Sequence, residues 1–135
     1  MYVIGSFLTS TPPSWTCFVD GFALISNNIS ETNLNNVKIC SLQNIKTIPS
    51  TLTVVASGTT PNNPLVFDRI QYTPDPSVIL DNSTTVVVDA FDDQIHYDSG
   101  WSKLGTIGME TSVQGASMTF DFVGALYVHT FDYFF

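Results

Sequence analysis

Residues Ala116-Ser117-Met118-Thr119-Phe120-Asp121-Phe122 place every apolar side chain on one parity and every polar one on the other. That period of two is the repeat of a strand with one face in a core and one in water, and no helix can sort those residues the same way. The pattern recurs. Leu52, Val54 and Ala56 alternate against Thr51, Thr53 and Val55, and Val66, Asp68, Ile70 and Tyr72 are expected to share one face of another strand. Further strands are expected at residues 2–8, 15–19, 22–26, 37–42, 84–89 and 107–113, and Val123-Gly124 reads as a turn into a strand at 125–131. No window keeps apolar residues at i, i+3, i+4 and i+7 without a Pro, a Gly or a β-branched run, so a long helix is not expected. Short strands closed by Gly, Pro, Asn or Asp predict an all-β, jelly-roll-like antiparallel β-sandwich. At 135 residues there is material for one domain of ordinary size.

Charge narrows the partners. Twelve acidic side chains against four basic ones give a net charge of −8, and the cations Lys38, Lys46, Arg69 and Lys103 are scattered along the chain. Such a surface repels phosphate backbones and anionic headgroups, so neither nucleic acid nor an anionic membrane surface is an expected partner. Two uncharged stretches have the wrong composition for a membrane span. Residues 47–67 are broken by Pro49, Gly58, Pro61, Asn62, Asn63 and Pro64, which would leave backbone groups unpaired in hydrocarbon. Residues 1–19 have no basic n-region and read as a strand, so a secretion signal would lie outside this chain.

Cys17 and Cys40 have no CxxC companion, and His96 and His129 are isolated, which leaves no metal or nucleophile constellation. Two buried thiols would satisfy the pattern. A disulfide is the favoured reading because both cysteines occur in strand-like runs, and it is expected on a strand pair beside the Asp20-Gly21 turn. Asn28-Ile29-Ser30 and Asn82-Ser83-Thr84 are N-glycosylation sequons at Asn28 and Asn82 in turn-rich sequence. With the cysteines and a charged fraction of 12%, they point to an extracellular or cell-surface location.

Tyr72-Thr73-Pro74-Asp75-Pro76-Ser77 divides the chain. Its prolines donate no ladder bond, the cysteines precede it, and most of the carboxylates follow it. The motifs on either side resemble a known family. Trp15-Thr16-Cys17-Phe18-Val19-Asp20-Gly21, then Ile39-Cys40, then Phe67-Asp68-Arg69-Ile70-Gln71-Tyr72-Thr73-Pro74 resemble the second half of a tandem jelly-roll (galactose-binding-like) β-sandwich repeat. Such repeats occur in secreted and membrane-anchored surface proteins of mushroom-forming fungi. Val87-Val88-Asp89, continuing through Asp92-Asp93-Gln94-Ile95-His96-Tyr97-Asp98-Ser99-Gly100-Trp101, resembles the beginning of the next repeat, and residues 116–129 resemble its hairpin.

Tyr2 and Tyr127, 125 residues apart, begin similar strands, about one domain period. The resemblance therefore implies a chain out of phase with the repeat. Residues 1–74 would be a C-terminal half, 75–83 a linker and 84–135 an N-terminal half, able to close together as a circular permutant. Against the family pattern, the chain lacks a signal peptide, the first half of repeat one and an anchor.

Asp89, Asp92, Asp93 and Asp98 form the densest acidic run. Hard cations take several oxygens at one turn, so Ca²⁺ on Asp89, Asp92 and Asp93 is one reading, although the spacing is not that of an EF-hand. A solvated turn leading into a strand is the other reading. Tyr97 and Trp101, beside Asp92 and Asp93, have the composition of a sugar site, with rings to stack on and carboxylates to hold hydroxyls. The commoner fate of such rings is the core. Asp92 and Asp93 would point to opposite faces of a strand, which does not make a glycosidase pair. No G-x-S-x-G, P-loop, G-x-G-x-x-G or HExxH is present.

The expected function is a non-catalytic extracellular module for surface display or adhesion, with cell-wall or surface glycan as the ligand class the resemblance implies. A structural spacer of a glycosylated ectodomain is the alternative. A fragment of a glycan-processing enzyme ranks behind both.

Overall fold

The alternation in residues 116–122 becomes a strand in the structure, a computed structural model that describes residues 1–9, 11–23, 35–42, 49–72 and 85–123. Met118 and Phe120 are fully buried, and Thr119 and Asp121 face outward. The described strands are β1 (Tyr2–Ser6), β2 (Ser14–Val19), β3 (Phe22–Ala23), β4 (Val37–Ser41), β5 (Pro49–Gly58) and β6 (Leu65–Tyr72). They continue with β7 (Val86–Asp89), β8 (Ile95–Tyr97), β9 (Trp101–Leu104), β10 (Gly108–Thr111) and β11 (Ser117–Val123).

These strands form two antiparallel sheets. One runs β4-β1-β6-β10-β9, with β7 also on β6, and the other runs β3-β2-β5-β11-β8. On its free side β6 is shared: Leu65 to Phe67 pair with β10, and Arg69 to Tyr72 pair with β7. Strands from both sides of residues 75–83 therefore enter each sheet, through β5 with β11 and through β6 with β7 and β10. The inward residues of both sheets make one core. Val3, Val37, Ile39, Leu65, Phe67 and Ile70 from the first meet Cys17, Leu52, Val54, Met118 and Phe120 from the second. The fold is an all-β sandwich.

Three sequence expectations change. The β1–β6 register slips so that Ile4 faces Arg69 while Gly5 faces Phe67, and Asp68 is the extra residue. A bulge reverses side-chain parity, so Ile70 and Tyr72 pack toward the core while Val66 and Asp68 stand outside it, and the four do not share one face as simple alternation required. Leu65, Phe67 and Ile70 line the core, and Val66 is buried outside the core cluster. Gly5 lies at this bulge, where a Cβ would fall on the Val66 carbonyl oxygen. The strand expected at 107–113 is β10 alone; the acidic turn leads into a short strand, β8, and a second, β9, follows it.

The third change concerns the cysteines. Cys17 and Cys40 do form a disulfide, with Cα atoms 6.2 Å apart. They are not on a strand pair: β2 pairs with β3 and β5, and β4 pairs with β1, so the bond crosses between the sheets. Paired strands in one sheet share a face, whereas a residue pointing into the core from each sheet can meet its counterpart across it. The Asp20-Gly21 turn does close a hairpin, β2 to β3, with φ of 51° and 84° at its two residues. Successive positive φ values mark a type I′ turn, which Asp-Gly favours. The Asp20 carboxylate accepts a hydrogen bond from the Thr51 amide at 2.8 Å, fastening the turn to β5.

Candidate functional site

The acidic run and its two aromatic rings occupy the short strands and turns from β7 to β9. Asp89 ends β7, and its Oδ1 accepts the Phe91 amide at 2.9 Å. Asp92 repeats the arrangement with the Gln94 amide at 2.9 Å, and Asp98 with the Gly100 amide at 2.9 Å. Each is an aspartate bonding the backbone two residues onward, a local turn-former. Asp98 does more, because its Oδ2 accepts the Ser117 amide at 2.8 Å and so joins this turn to the start of β11. Main-chain bonds from Asp92 N to Asp89 O and from Ile95 N to Asp92 O complete the β7–β8 connection.

A hard cation needs several oxygens converging on one point. Asp89 and Asp92 instead turn toward successive amides of their own loop, and Asp93 is exposed. Among the described residues no three His, Cys, Asp or Glu side chains come together as a metal-holding group. Asp89 ends β7, and Asp92 and Asp93 lie in the turn that follows. Asp92 and Asp93 lie in that turn rather than on a strand, so the opposite-face argument does not apply to them.

The aromatic rings are used internally as well. Trp101 opens β9 and is only 8% exposed, within the core cluster. Its indole N–H is buried with no acceptor among the described residues, so packing alone holds the ring. Tyr97 is half-buried between Trp101 and Phe67, with ring centroids at 5.4 and 6.3 Å. Its hydroxyl donates to the Ala90 carbonyl at 2.7 Å. Burial, and secondarily the Asp89 carboxylate, push the Tyr97 phenol well above its ordinary value. Tyr97 and Trp101 are brought together with their rings tilted at 53° to each other, Trp101 within the core and Tyr97 half-buried against it. A sugar stacks on an open ring face, and the Trp101 ring is buried. Asp93 is exposed and Asp92 partly buried in the turn before β8.

The other candidates separate. His96 is exposed on β8 opposite Thr119, and Asn28, Asn82, His129 and the 75–83 linker lie outside the described residues.

Trp15 acquires a role that sequence reading did not assign. On β2 it shares a parity with Cys17, and its Nε1 donates to the Ile39 carbonyl, across the sandwich on β4, at 2.6 Å. Ile39 precedes Cys40, so the W-x-C motif makes two adjacent ties to one strand of the opposite sheet. The signal was present: residues i and i+2 of a strand reach the same side. Searches of protein-family models, curated proteins and solved structures found no match to this chain.

Proposed function

We propose that this chain is a non-catalytic extracellular β-sandwich module that serves surface display or adhesion as a structural spacer. The observation that carries this reading is the internal use of its most ligand-like residues. The carboxylates of Asp89, Asp92 and Asp98 hold backbone amides, and Tyr97 and Trp101 pack into the core. A disulfide with both half-cystines about 95% buried suits an oxidising compartment, which supports an extracellular or cell-surface location. The resemblance to fungal jelly-roll repeats supports the same reading and suggests a permuted phase. Glycan remains the ligand class to test first, because that resemblance implies it. An array of cell-wall and surface glycans, probed with the chain at concentrations that detect millimolar binding, is expected to show none. Glycan binding lost in Tyr97→Ala and Trp101→Ala variants that remain folded would replace the spacer with a lectin-like module.

A further inference from the structure

We infer that Trp15 and the Cys17–Cys40 disulfide form a light-sensitive redox couple, in which the excited indole donates an electron to the disulfide. Two attachments hold the indole near the sulfur pair, its Nε1 and Cys17 Sγ lying 2.6 and 3.6 Å from the same Ile39 carbonyl oxygen. Trp15 is two residues from Cys17 on the same side of β2, and its Nε1 is hydrogen-bonded to the carbonyl of Ile39, the residue bonded to Cys40. Phe7 closes the other side, its ring centroid 5.5 Å from the indole, which restricts the ring to this position. Both half-cystines are buried, at 4% and 5% exposure, so added reductants and solvent quenchers meet the disulfide poorly while the indole does not have to approach it.

The chemistry balances within the molecule. An absorbed ultraviolet photon raises the indole to an excited state that is a strong one-electron reductant. The electron passes to the antibonding orbital of the S–S bond, giving a disulfide radical anion and an indole radical cation. The S–S bond breaks to one thiolate, which takes up a proton from water, and one thiyl radical. The indole radical cation loses its Nε1 proton to solvent and becomes the neutral indolyl radical. One electron leaves the indole and one enters the disulfide.

The second tryptophan provides an internal control. Trp101 is on β9 and Cys40 on β4, at opposite edges of the same sheet and four strand spacings apart, about 19 Å. Electron transfer falls steeply with distance, so the two indoles of the chain should differ sharply as donors. Trp101 faces Tyr97, a ring with no S–S bond to reduce.

The test uses the whole oxidised chain in degassed buffer, irradiated at the red edge of tryptophan absorption, then unfolded and labelled for free thiols. Trp101→Phe, in which Trp15 is the only tryptophan, is expected to release thiols at nearly the wild-type rate. Trp15→Phe is expected to slow release several-fold. Reducing the disulfide chemically should also raise emission several-fold in Trp101→Phe, by removing the electron acceptor. No thiol release from Trp101→Phe, or equal emission before and after its reduction, would overturn the inference even if Trp15→Phe proved unable to fold.

Discussion

Reducing Cys17–Cys40 removes a covalent tie between the two sheets without removing an atom of side-chain volume, so the cost can be worked from chain topology. The cysteines are 23 residues apart in sequence. Closing a loop of that length in the unfolded chain costs entropy equivalent to about 3 kcal/mol at room temperature, and the oxidised protein is more stable by that amount. For a domain of this length the unfolding entropy is about 0.28 kcal/mol/K, which turns about 3 kcal/mol into a midpoint shift of about 10 °C. The reduced sandwich should still fold, because Val37, Ile39, Cys40 and Leu42 stay buried through packing and β4 keeps its ladder to β1. Thermal and urea melts of oxidised and reduced wild-type protein measure the difference directly. The urea slope should be smaller in the oxidised form, whose unfolded chain exposes less surface. Cys17→Ala and Cys40→Ala should each lose nearly what the double variant loses, since either one removes the same bond. Midpoints agreeing within about 3 °C would refute an inter-sheet staple of this loop length.

Other perturbations have equally definite outcomes. Gly5→Ala forces a methyl onto the Val66 carbonyl in a strand paired on both sides, and should cost about 2–3 kcal/mol in urea melts; a neutral result would mean the bulge is looser than described. Asp98→Ala strips the acceptor from the Gly100 and Ser117 amides and should cost about 1–2 kcal/mol, whereas Asp98→Asn, which keeps one oxygen, should lose less in the same assay. Because the Tyr97 phenol is raised in the folded state, its contribution to stability is complete below the unfolded value of 10.0 and declines above it, where the unfolded chain loses its proton first. Midpoints measured across that alkaline range should fall less steeply in Tyr97→Phe than in wild type; identical slopes would contradict the burial described for this ring.

Much of this fold is legible in the alternation of β5 and β11, because each has one parity in the core and no bulge in their shared register. Residues 65–72 misled a simple parity reading for a local reason. One extra residue, Asp68, reverses the side on which later residues emerge, and parity cannot register an insertion that only the partner strand defines. β8 and β9 were hidden because three and four residues are too few to show a period. For the candidate site, the sequence correctly placed Tyr97 beside Trp101 but could not tell a stacking platform from a core pair, since both need the same residue types. It could not tell an aspartate cluster from a series of turns either, because only geometry separates converging carboxylates from ones directed at successive amides. The disulfide followed from two strand-borne cysteines, while its crossing from sheet to sheet depended on a topology that local pattern does not encode.

The carboxylates of Asp89, Asp92 and Asp98 accept amides of their own backbone, and the proposed spacer role requires that no ligand takes them away. The most direct measurement follows the backbone amide resonances of Phe91, Gln94, Gly100 and Ser117, the four donors to those carboxylates, by nuclear magnetic resonance. The protein would be titrated separately with Ca²⁺ and with galactose to millimolar concentration. All four resonances are expected to hold their positions in both titrations. A saturable, concerted shift of Phe91 and Gln94 with Ca²⁺, or of these amides together with the Trp101 indole N–H with galactose, would contradict a purely structural role for this segment.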